Sequence, residues 1–332
     1  CYTAIVTPFT ADGASVDVGR LEEHVRRQAA GGVTGIVPCG TTGESPTLSE
    51  EEHARVVETA VRVGRAAGLR VVAGAGSNCT SHAVHLHKLA RQLGADAGLQ
   101  VAPYYNKPSQ EGLYRHFMAV ADSCDLPVML YNIPGRSGVA IAPETVERLS
   151  RHPNIQAIKE ATGSMDSASE IHQRCGIAVL SGDDSLTPSF AAVGAVGVVS
   201  VVSNLVPARV AELCRLLASN DFRRALEVHM ALLPLSKGLL SIDVNPVPVK
   251  CAMAALGLDS GAVRLPLAPA SAAAAARIRE LVAAAGIGAV AAPAAGHAHA
   301  GAATCTPRST TPRRFPTRSR SSATCGMPTG GS

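Results

Sequence analysis

Eight short runs of β-branched and apolar residues recur along the first 201 residues, with helix-forming stretches between them. The runs lie at 3–7, 35–38, 70–75, 98–102, 127–131, 155–159, 177–181 and 197–201. The helical stretches include 18–30, 49–67, 80–93, 109–123 and 143–150. Strands that alternate with helices at this spacing are typical of repeated βα units. Eight such units predict an α/β fold, a closed (β/α)8 TIM barrel.

The chain lacks the glycine patterns that mark several other α/β enzymes. The segment 74–78, Gly-Ala-Gly-Ser-Asn, lacks the third glycine of the G-x-G-x-x-G motif that binds dinucleotides. The sequence also has no G-x-S-x-G elbow and no P-loop. A doubly wound dinucleotide-binding sheet, serine-triad chemistry and ATP chemistry are therefore not supported.

The sequence changes character after the eighth run. Helical stretches follow at 207–219, 222–240, 247–256 and 270–285, and the last three have no strand between them. We therefore expect a catalytic barrel at 1–220 and a helical C-terminal domain at 221–287. Residues 288–332 are rich in Ala, Gly and Pro and then in Ser, Thr, Arg and Pro, a composition that cannot bury a core. We expect this last segment to be a disordered tail.

The net charge of +4 comes from this tail. Residues 289–332 contain five arginines and no Lys, Asp or Glu, which leaves 25 basic against 26 acidic side chains elsewhere. These arginines raise the hypothesis of a flexible arm that binds nucleic acid or another anionic surface, although a solvated appendage is the simpler interpretation. Aromatic residues make up only 3% of the chain and Trp is absent, so we do not expect platforms for stacking single-stranded nucleic acid.

The nine cysteines are scattered and odd in number, and they form neither a C-x-x-C pair nor a metal-ligand spacing. Isolated thiols are typical of a reducing compartment. No run of 18 apolar residues occurs, and the first residues lack the features of a secretory signal. We predict a cytoplasmic protein that does not enter a membrane. Because Cys1 leads directly into a strand-like run, we also expect a few residues to precede it in the natural chain.

Reactive side chains of a TIM barrel gather at the carboxyl ends of the strands. The residues at those positions are Thr41 and Thr42 after the second run, Tyr104 and Tyr105 after the fourth, Tyr131 in the fifth and Lys159 in the sixth. Each has an ordinary structural interpretation, as a turn, a core-edge tyrosine or a lysine whose stem covers apolar surface. Their joint occurrence on one predicted face of the barrel favours a shared site.

Lys159 is the residue with the clearest chemical potential. The chain has only five lysines against 25 arginines, and Lys159 ends the largely apolar run 155–158. Burial disfavours the ammonium form, and a neutral amine can attack a ketone carbonyl. The sequence therefore predicts a lysine that forms a Schiff base.

Three histidines, His82, His85 and His87, lie close together and raise the question of a metal site. Only His82 and His85 share a face of the predicted helix. One histidine pair without a carboxylate is an inadequate ligand set, so we predict no metal site.

Longer motifs resemble those of the dihydrodipicolinate synthase family, also called the 4-hydroxy-tetrahydrodipicolinate synthase family, within the pyruvate-dependent Schiff-base aldolases and lyases. The resemblance covers about residues 1–287 and omits the tail. Its motifs lie at 4–9, 40–45, 103–114, 131–138, 158–163, 181–184 and 245–250.

The resemblance implies a catalytic role for four residues. Lys159 would form an imine with pyruvate, and Tyr131 would donate and accept protons during that step. Thr41 and Tyr105 would complete a relay of hydroxyl groups with Tyr131. In this family the equivalent of Tyr105 comes from a neighbouring subunit, which implies a tight dimer and, usually, a homotetramer made of two such dimers.

Further residues would bind the two substrates, pyruvate and L-aspartate 4-semialdehyde. Thr42 and Val199 would contact pyruvate, Gly182 would also line the substrate site, and Arg136 would hold the carboxylate of the semialdehyde. The reaction, a step of the diaminopimelate branch of lysine biosynthesis, needs no metal or organic cofactor.

Two other functions remain open at this point. N-acetylneuraminate lyase and the keto-sugar-acid aldolases share the lysine and the tyrosine, whereas the second threonine and Arg136 point more narrowly to the synthase. An inactive barrel that serves as a scaffold would have to keep the whole set of residues without using it.

The family's feedback site for L-lysine would lie at the dimer interface. It maps near six residues of this chain: Ser45, Pro46, His53, Asn78, His82 and Tyr104. Lysine-sensitive members commonly carry a carboxylate where this chain has His82 and a histidine where it has Glu50. Because a carboxylate that would pair with the lysine ammonium is missing at position 82, we expect weak or absent inhibition by lysine.

Overall fold

A computed structural model describes residues 1–287, which form a closed barrel of eight parallel strands surrounded by helices. Each strand pairs with the next along the chain, and β8 pairs with β1 to close the barrel. The strands are β1 Tyr2–Ala4, β2 Gly35–Val37, β3 Arg70–Gly74, β4 Ala97–Val101, β5 Val128–Asn132, β6 Ile155–Glu160, β7 Ala178–Ser181 and β8 Gly197–Ser200. The prediction of a TIM barrel is confirmed, and each of the eight predicted runs overlaps one strand.

The helices of the described chain pack outside the barrel and after it. They are α1 Val18–Ala30, α2 Glu50–Ala66, α3 Thr80–Gln92, α4 Gln110–Ala121, α5 Pro134–Ser137, α6 Pro143–Leu149, α7 Met165–Arg174, α8 Thr187–Ala192, α9 Pro207–Ala218, α10 Phe222–Ile242, α11 Val247–Ala255 and α12 Ala272–Ala284. Short 3-10 turns lie at Ser45–Thr47, Asp184–Leu186 and Val202–Asn204. Several helices begin where a Ser or Asp side chain accepts a hydrogen bond from the first turn, as Ser49 does from Glu52.

Alternation along the strands separates the barrel interior from the layer under the helices. Met129 and Tyr131 of β5 and Ala157 of β6 belong to one buried interior cluster, together with Leu180 and Val199. Residues of opposite parity, such as Leu130 and Ile158, pack in the cluster between sheet and helices. Because successive side chains of a strand point to opposite faces, this alternation turns Lys159 towards the interior and Glu160 away from it.

The C-terminal helices pack against one side of the barrel. Residues of α10, α11 and α12, among them Leu235, Val249 and Ile278, share a buried cluster with Val6 and Val198 of the barrel. The division at 220/221 into a barrel and a C-terminal domain stays a prediction. The predicted tail at 288–332 lies outside the described residues.

Helix α10 is long and apolar enough to cross a membrane, judged by length and composition alone, and within residues 1–287 it is the one helix that meets this test. Core helices of soluble proteins meet the same test. Ala225, Val228, Leu232 and Leu239 of α10 are buried in the C-terminal cluster. These contacts account for the apolar character of one face of the helix.

Candidate active site

Lys159 and Tyr131 lie side by side at the carboxyl ends of neighbouring strands. They are direct partners in the pairing of β5 with β6, so they belong to the same layer of the barrel interior. The Lys159 Nζ atom lies 4.2 Å from the centre of the Tyr131 ring. Both residues are buried, with exposed fractions of 6% and 5%. The sequence correctly places these two residues together at one end of the barrel.

The Lys159 amine has no carboxylate partner among residues 1–287, since none of the ion pairs there includes it. The neighbouring Glu160 accepts hydrogen bonds from Asn132 Nδ2 at 3.0 Å and from the Thr162 amide at 2.9 Å. Burial raises the pKa of Glu160. No carboxylate of the described chain therefore holds the Lys159 amine, which is available to a carbonyl carbon as a nucleophile.

Residues 39–44 form a loop after β2 that carries both threonines. Thr41 is half-buried, whereas Thr42 is buried and its Oγ1 accepts a hydrogen bond of 3.0 Å from Asn245 Nδ2. The Thr7 hydroxyl donates to the Gly43 carbonyl at 2.7 Å. The loop is therefore held both by the segment that follows β1 and by the segment before α11.

Arg136 projects from the short helix α5, which follows β5. It is exposed, and its guanidinium donates to the Asn245 carbonyl at 3.3 Å. Asn132 bonds to both the amide and the carbonyl of Ile141, at 2.9 and 3.1 Å, and so closes the 133–141 loop at its base. Asn245 thus touches both the threonine loop and the arginine loop, a role that sequence reasoning missed because nothing near position 245 indicates its partners.

Val199 and Gly182 lie at the ends of the last two strands. Val199 is fully buried in the interior cluster that also contains Tyr131. Gly182 directly follows β7, and a Cβ atom there would lie 2.5 Å from the Cβ atom of Ala161. Any larger residue at position 182 would therefore displace the chain after β6.

Tyr105 does not join the other candidate residues within its own chain. Its side chain is 89% exposed and its backbone is left-handed, with φ of 74°. The surrounding loop is tied by Asn78 Nδ2 to the Tyr104 carbonyl at 3.2 Å and by Asn106 Nδ2 to the Asn78 carbonyl at 2.9 Å. The loop therefore presents the ring of Tyr105 to the outside of the molecule.

One cavity of about 520 Å³ opens beside these residues. Thr41, Tyr131 and Arg136 line it, together with five of the six candidate regulatory residues, Ser45, Pro46, His53, His82 and Tyr104. The sixth, Asn78, reaches this group through its hydrogen bond to Tyr104. Two of the four predicted catalytic residues, Thr41 and Tyr131, thus border the same space as the predicted regulatory residues, and Lys159 lies beside this space through its contact with Tyr131.

The histidines of α3 do not form a metal site in the part of the chain that the structure describes, where no group of three His, Cys, Asp or Glu side chains converges. His82 and His85 stack with their ring centres 6.2 Å apart. His85 also contacts Glu50 at 2.7 Å, whereas His87 is buried and bonds to the Leu126 carbonyl at 3.2 Å.

Comparisons with known proteins identify relatives of this chain. Residues 1–285 match the model of the Dihydrodipicolinate synthetase family. The chain belongs to this family. A relative in Pelobacter propionicus, named 4-hydroxy-tetrahydrodipicolinate synthase, is 52% identical over 270 residues, which cover 80% of this chain and 91% of the relative.

Solved structures of family members have the same fold. The 4-hydroxy-tetrahydrodipicolinate synthase of Methylacidiphilum fumariolicum SolV has 46% identity and a TM-score of 0.83, over 86% of this chain and 95% of that one. The dihydrodipicolinate synthase of Acinetobacter baumannii, solved in complex with pyruvate, has 40% identity and a TM-score of 0.84, over 86% and 97% of the two chains.

The two buried lysines, Lys159 and Lys250, should affect the free energy of unfolding in opposite directions. Among residues 1–287 Lys159 has no carboxylate partner, whereas Lys250 is paired with Glu44 at 2.7 Å, and the side chains of Lys250 and Glu44 are fully buried. We expect Lys159→Met to raise the free energy of unfolding by about 1 kcal/mol, because active-site residues are commonly kept at the expense of stability. We expect Lys250→Met to lower it by about 3 kcal/mol, because it leaves a buried carboxylate unpaired. Denaturant unfolding of both variants measures these changes, and a loss of stability in Lys159→Met would contradict the assignment of an unpaired buried amine.

Proposed function

We propose that the protein is a 4-hydroxy-tetrahydrodipicolinate synthase, which condenses pyruvate with L-aspartate 4-semialdehyde. The observation that carries the proposal is the buried, unpaired amine of Lys159 beside Tyr131 at the mouth of the barrel. Relatives about half identical to the chain bear this name, and a similar solved structure is a complex with pyruvate.

The reaction begins with attack of the Lys159 amine on the ketone carbon of pyruvate. Tyr131 supplies a proton to the carbonyl oxygen, and the resulting carbinolamine loses water to give an imine. Loss of a proton from the methyl group then yields an enamine. Its methylene carbon attacks the aldehyde of the second substrate, and attack by the amino group of that substrate on the imine carbon closes the ring and frees Lys159.

Other side chains bind the substrates in this proposal. Thr42, Val199 and Gly182 border the position of pyruvate, and Arg136 pairs its guanidinium with the carboxylate of the semialdehyde. Thr41 passes protons between Tyr131 and Tyr105. The exposure of Arg136 supports its role, because an incoming carboxylate can reach it at the rim of the cavity.

Tyr105 acts in the site of a neighbouring subunit. Two observations support this arrangement. The Tyr105 ring is 89% exposed, so it points away from the cavity of its own chain, and hydrogen bonds hold its loop in place. The protein then works as a tight dimer, with two dimers in a homotetramer. We place it in the cytoplasm, in the diaminopimelate branch of lysine biosynthesis.

Product formation tests the proposed function directly. We expect the wild-type chain to form product from pyruvate with aspartate semialdehyde and not with N-acetylmannosamine, which an N-acetylneuraminate lyase would use. Tyr131→Phe should lower kcat by about 100-fold because it removes a proton donor. Arg136→Lys should mainly raise KM for the semialdehyde, since an ammonium cannot form the forked pair. Activity with N-acetylmannosamine alone would contradict the proposal.

Mixing two inactive variants tests the shared site. Lys159→Met lacks the amine, and Tyr105→Ala lacks the donated hydroxyl, so each homodimer should be nearly inactive. A mixed dimer holds one intact site, built from Lys159 of one chain and Tyr105 of the other. After an equal mixture is unfolded and refolded, half of the dimers should be mixed, and each mixed dimer has one intact site out of two. We therefore expect about a quarter of the wild-type activity. Failure to recover activity from a mixture that has formed dimers would contradict donation across the interface.

Lysine should be a weak inhibitor or none. Glu50 is the one carboxylate among the described residues that line the cavity, and it already contacts His85 at 2.7 Å, while position 82 holds a histidine. We expect less than twofold inhibition at about 1 mM lysine, because the lysine ammonium lacks a free carboxylate partner. The double variant Glu50→His and His82→Glu should gain sensitivity. Inhibition of the wild-type chain by micromolar lysine in a steady-state assay would contradict this expectation.

A further inference from the structure

We propose that Glu44 and Lys250 are positioning residues whose ion pair holds the threonine loop, residues 39–44, in its working shape. The proposal rests on the function proposed above, because it concerns the residues that present Thr41 and Thr42 to substrate. It assigns the C-terminal helix α11, which carries Lys250, a part in shaping the active site.

The pair is fully enclosed. Lys250 Nζ lies 2.7 Å from Glu44 Oε1, and both side chains have no exposed surface. The ammonium also donates to the Thr7 carbonyl at 3.0 Å and lies 4.1 Å from the centre of the Phe9 ring. The second carboxylate oxygen accepts a hydrogen bond of 3.1 Å from the Arg264 amide. With both charges paired and hydrogen-bonded, the desolvation of the ions is compensated.

Glu44 is the last residue of the threonine loop, and its backbone has a conformation that non-glycine residues rarely adopt. Its φ is 53°, in the left-handed region where non-glycine residues are uncommon. The loop closes on it through hydrogen bonds from the Glu44 amide to the Thr41 carbonyl and from the Ser45 amide to the Gly40 carbonyl, at 3.1 and 3.3 Å. Such a conformation persists only where the surroundings over-determine it. The buried ion pair provides that constraint.

The constraint comes from the far end of the described chain. Lys250 lies on α11, 206 residues after Glu44. The same C-terminal region supplies Asn245, which bonds to Thr42, and Arg264, whose guanidinium bonds to the Thr47 carbonyl at 3.1 Å just after the loop. Three residues of this C-terminal region, Asn245, Lys250 and Arg264, therefore contact the threonine loop or the residues just after it.

The catalytic consequence follows from the position of the threonines. Thr42 lies two residues before Glu44 and Thr41 three residues before it, and Thr41 lines the cavity. A displacement of about 1 Å at a reacting group can lower a rate by about 100-fold. Loss of the pair should therefore reduce catalysis even where the barrel stays folded.

The test compares a double variant that leaves no charge buried alone with a single variant that removes the carboxylate charge but keeps hydrogen-bonding groups at position 44. The double variant Glu44→Gln and Lys250→Met removes both charges, and the single variant Glu44→Gln retains groups that can bond to Lys250 and Arg264. The control is Gln28→Leu, which disrupts a buried network with Thr3 and Ser203 that does not include the threonine loop. Each variant is measured by thermal unfolding, by hydrogen exchange of the peptide that spans 39–48, and by kcat and KM for pyruvate.

We expect the double variant to fold, to exchange the amides of 39–48 at least about tenfold faster, and to lose about 100-fold in kcat. The Glu44→Gln variant should show the same changes to a smaller degree and serves as the test if the double variant does not fold. Gln28→Leu should lose stability without either change. Variants that lose stability alone, with the wild-type kcat and wild-type exchange at 39–48, would overturn the proposal. If the wild-type chain forms no product, the proposed function fails, and the exchange measurement still decides whether the pair holds the loop.

Discussion

The burial of an unpaired amine inside a closed barrel is the constraint on which the site depends. Lys159 occupies an interior position of β6, where the apolar cluster around Tyr131 and Val199 excludes carboxylates. The Lys159 amine therefore faces the Tyr131 ring, with no counter-ion among residues 1–287. The pairing of β5 with β6 places the two residues side by side, and the closed barrel buries them.

The strands position the reactive pair, and buried polar networks position the loops around it. Asn132 and Glu160 close the base of the arginine loop, and the Glu44–Lys250 pair closes the threonine loop. Asp184 accepts hydrogen bonds from the Val201 and Val202 amides, at 2.8 and 3.1 Å, just after β8. Burial raises the pKa of Asp184 and lowers that of Lys250, where Glu44 opposes the shift. The loops that line the cavity are thus held by charges that lie outside it.

The sequence predicts the barrel and its reactive pair well because both depend on short-range patterns. Alternation within β5 and β6 is enough to put Tyr131 and Lys159 on one face, and each predicted run overlaps a strand. The sequence analysis sets no bounds for helices α5, α7 and α8, and at 4 and 6 residues α5 and α8 are too short to show a helical period. Thr42 lies 203 residues before its partner Asn245 and Glu44 lies 206 residues before Lys250, and no local pattern indicates a contact at that distance. The exposure of Tyr105 follows from two residues with positive φ, Tyr105 and Lys107, whose strain a sequence does not reveal.

Reduction of a pyruvate imine by borohydride, followed by intact and peptide mass spectrometry, tests the central claim most directly. The reduced imine is a stable adduct, so its position identifies the nucleophile. We expect one adduct per chain, on the peptide that contains Lys159, and none in the Lys159→Met variant. A folded wild-type protein that gives no adduct, or one that carries the adduct on another lysine, would contradict it.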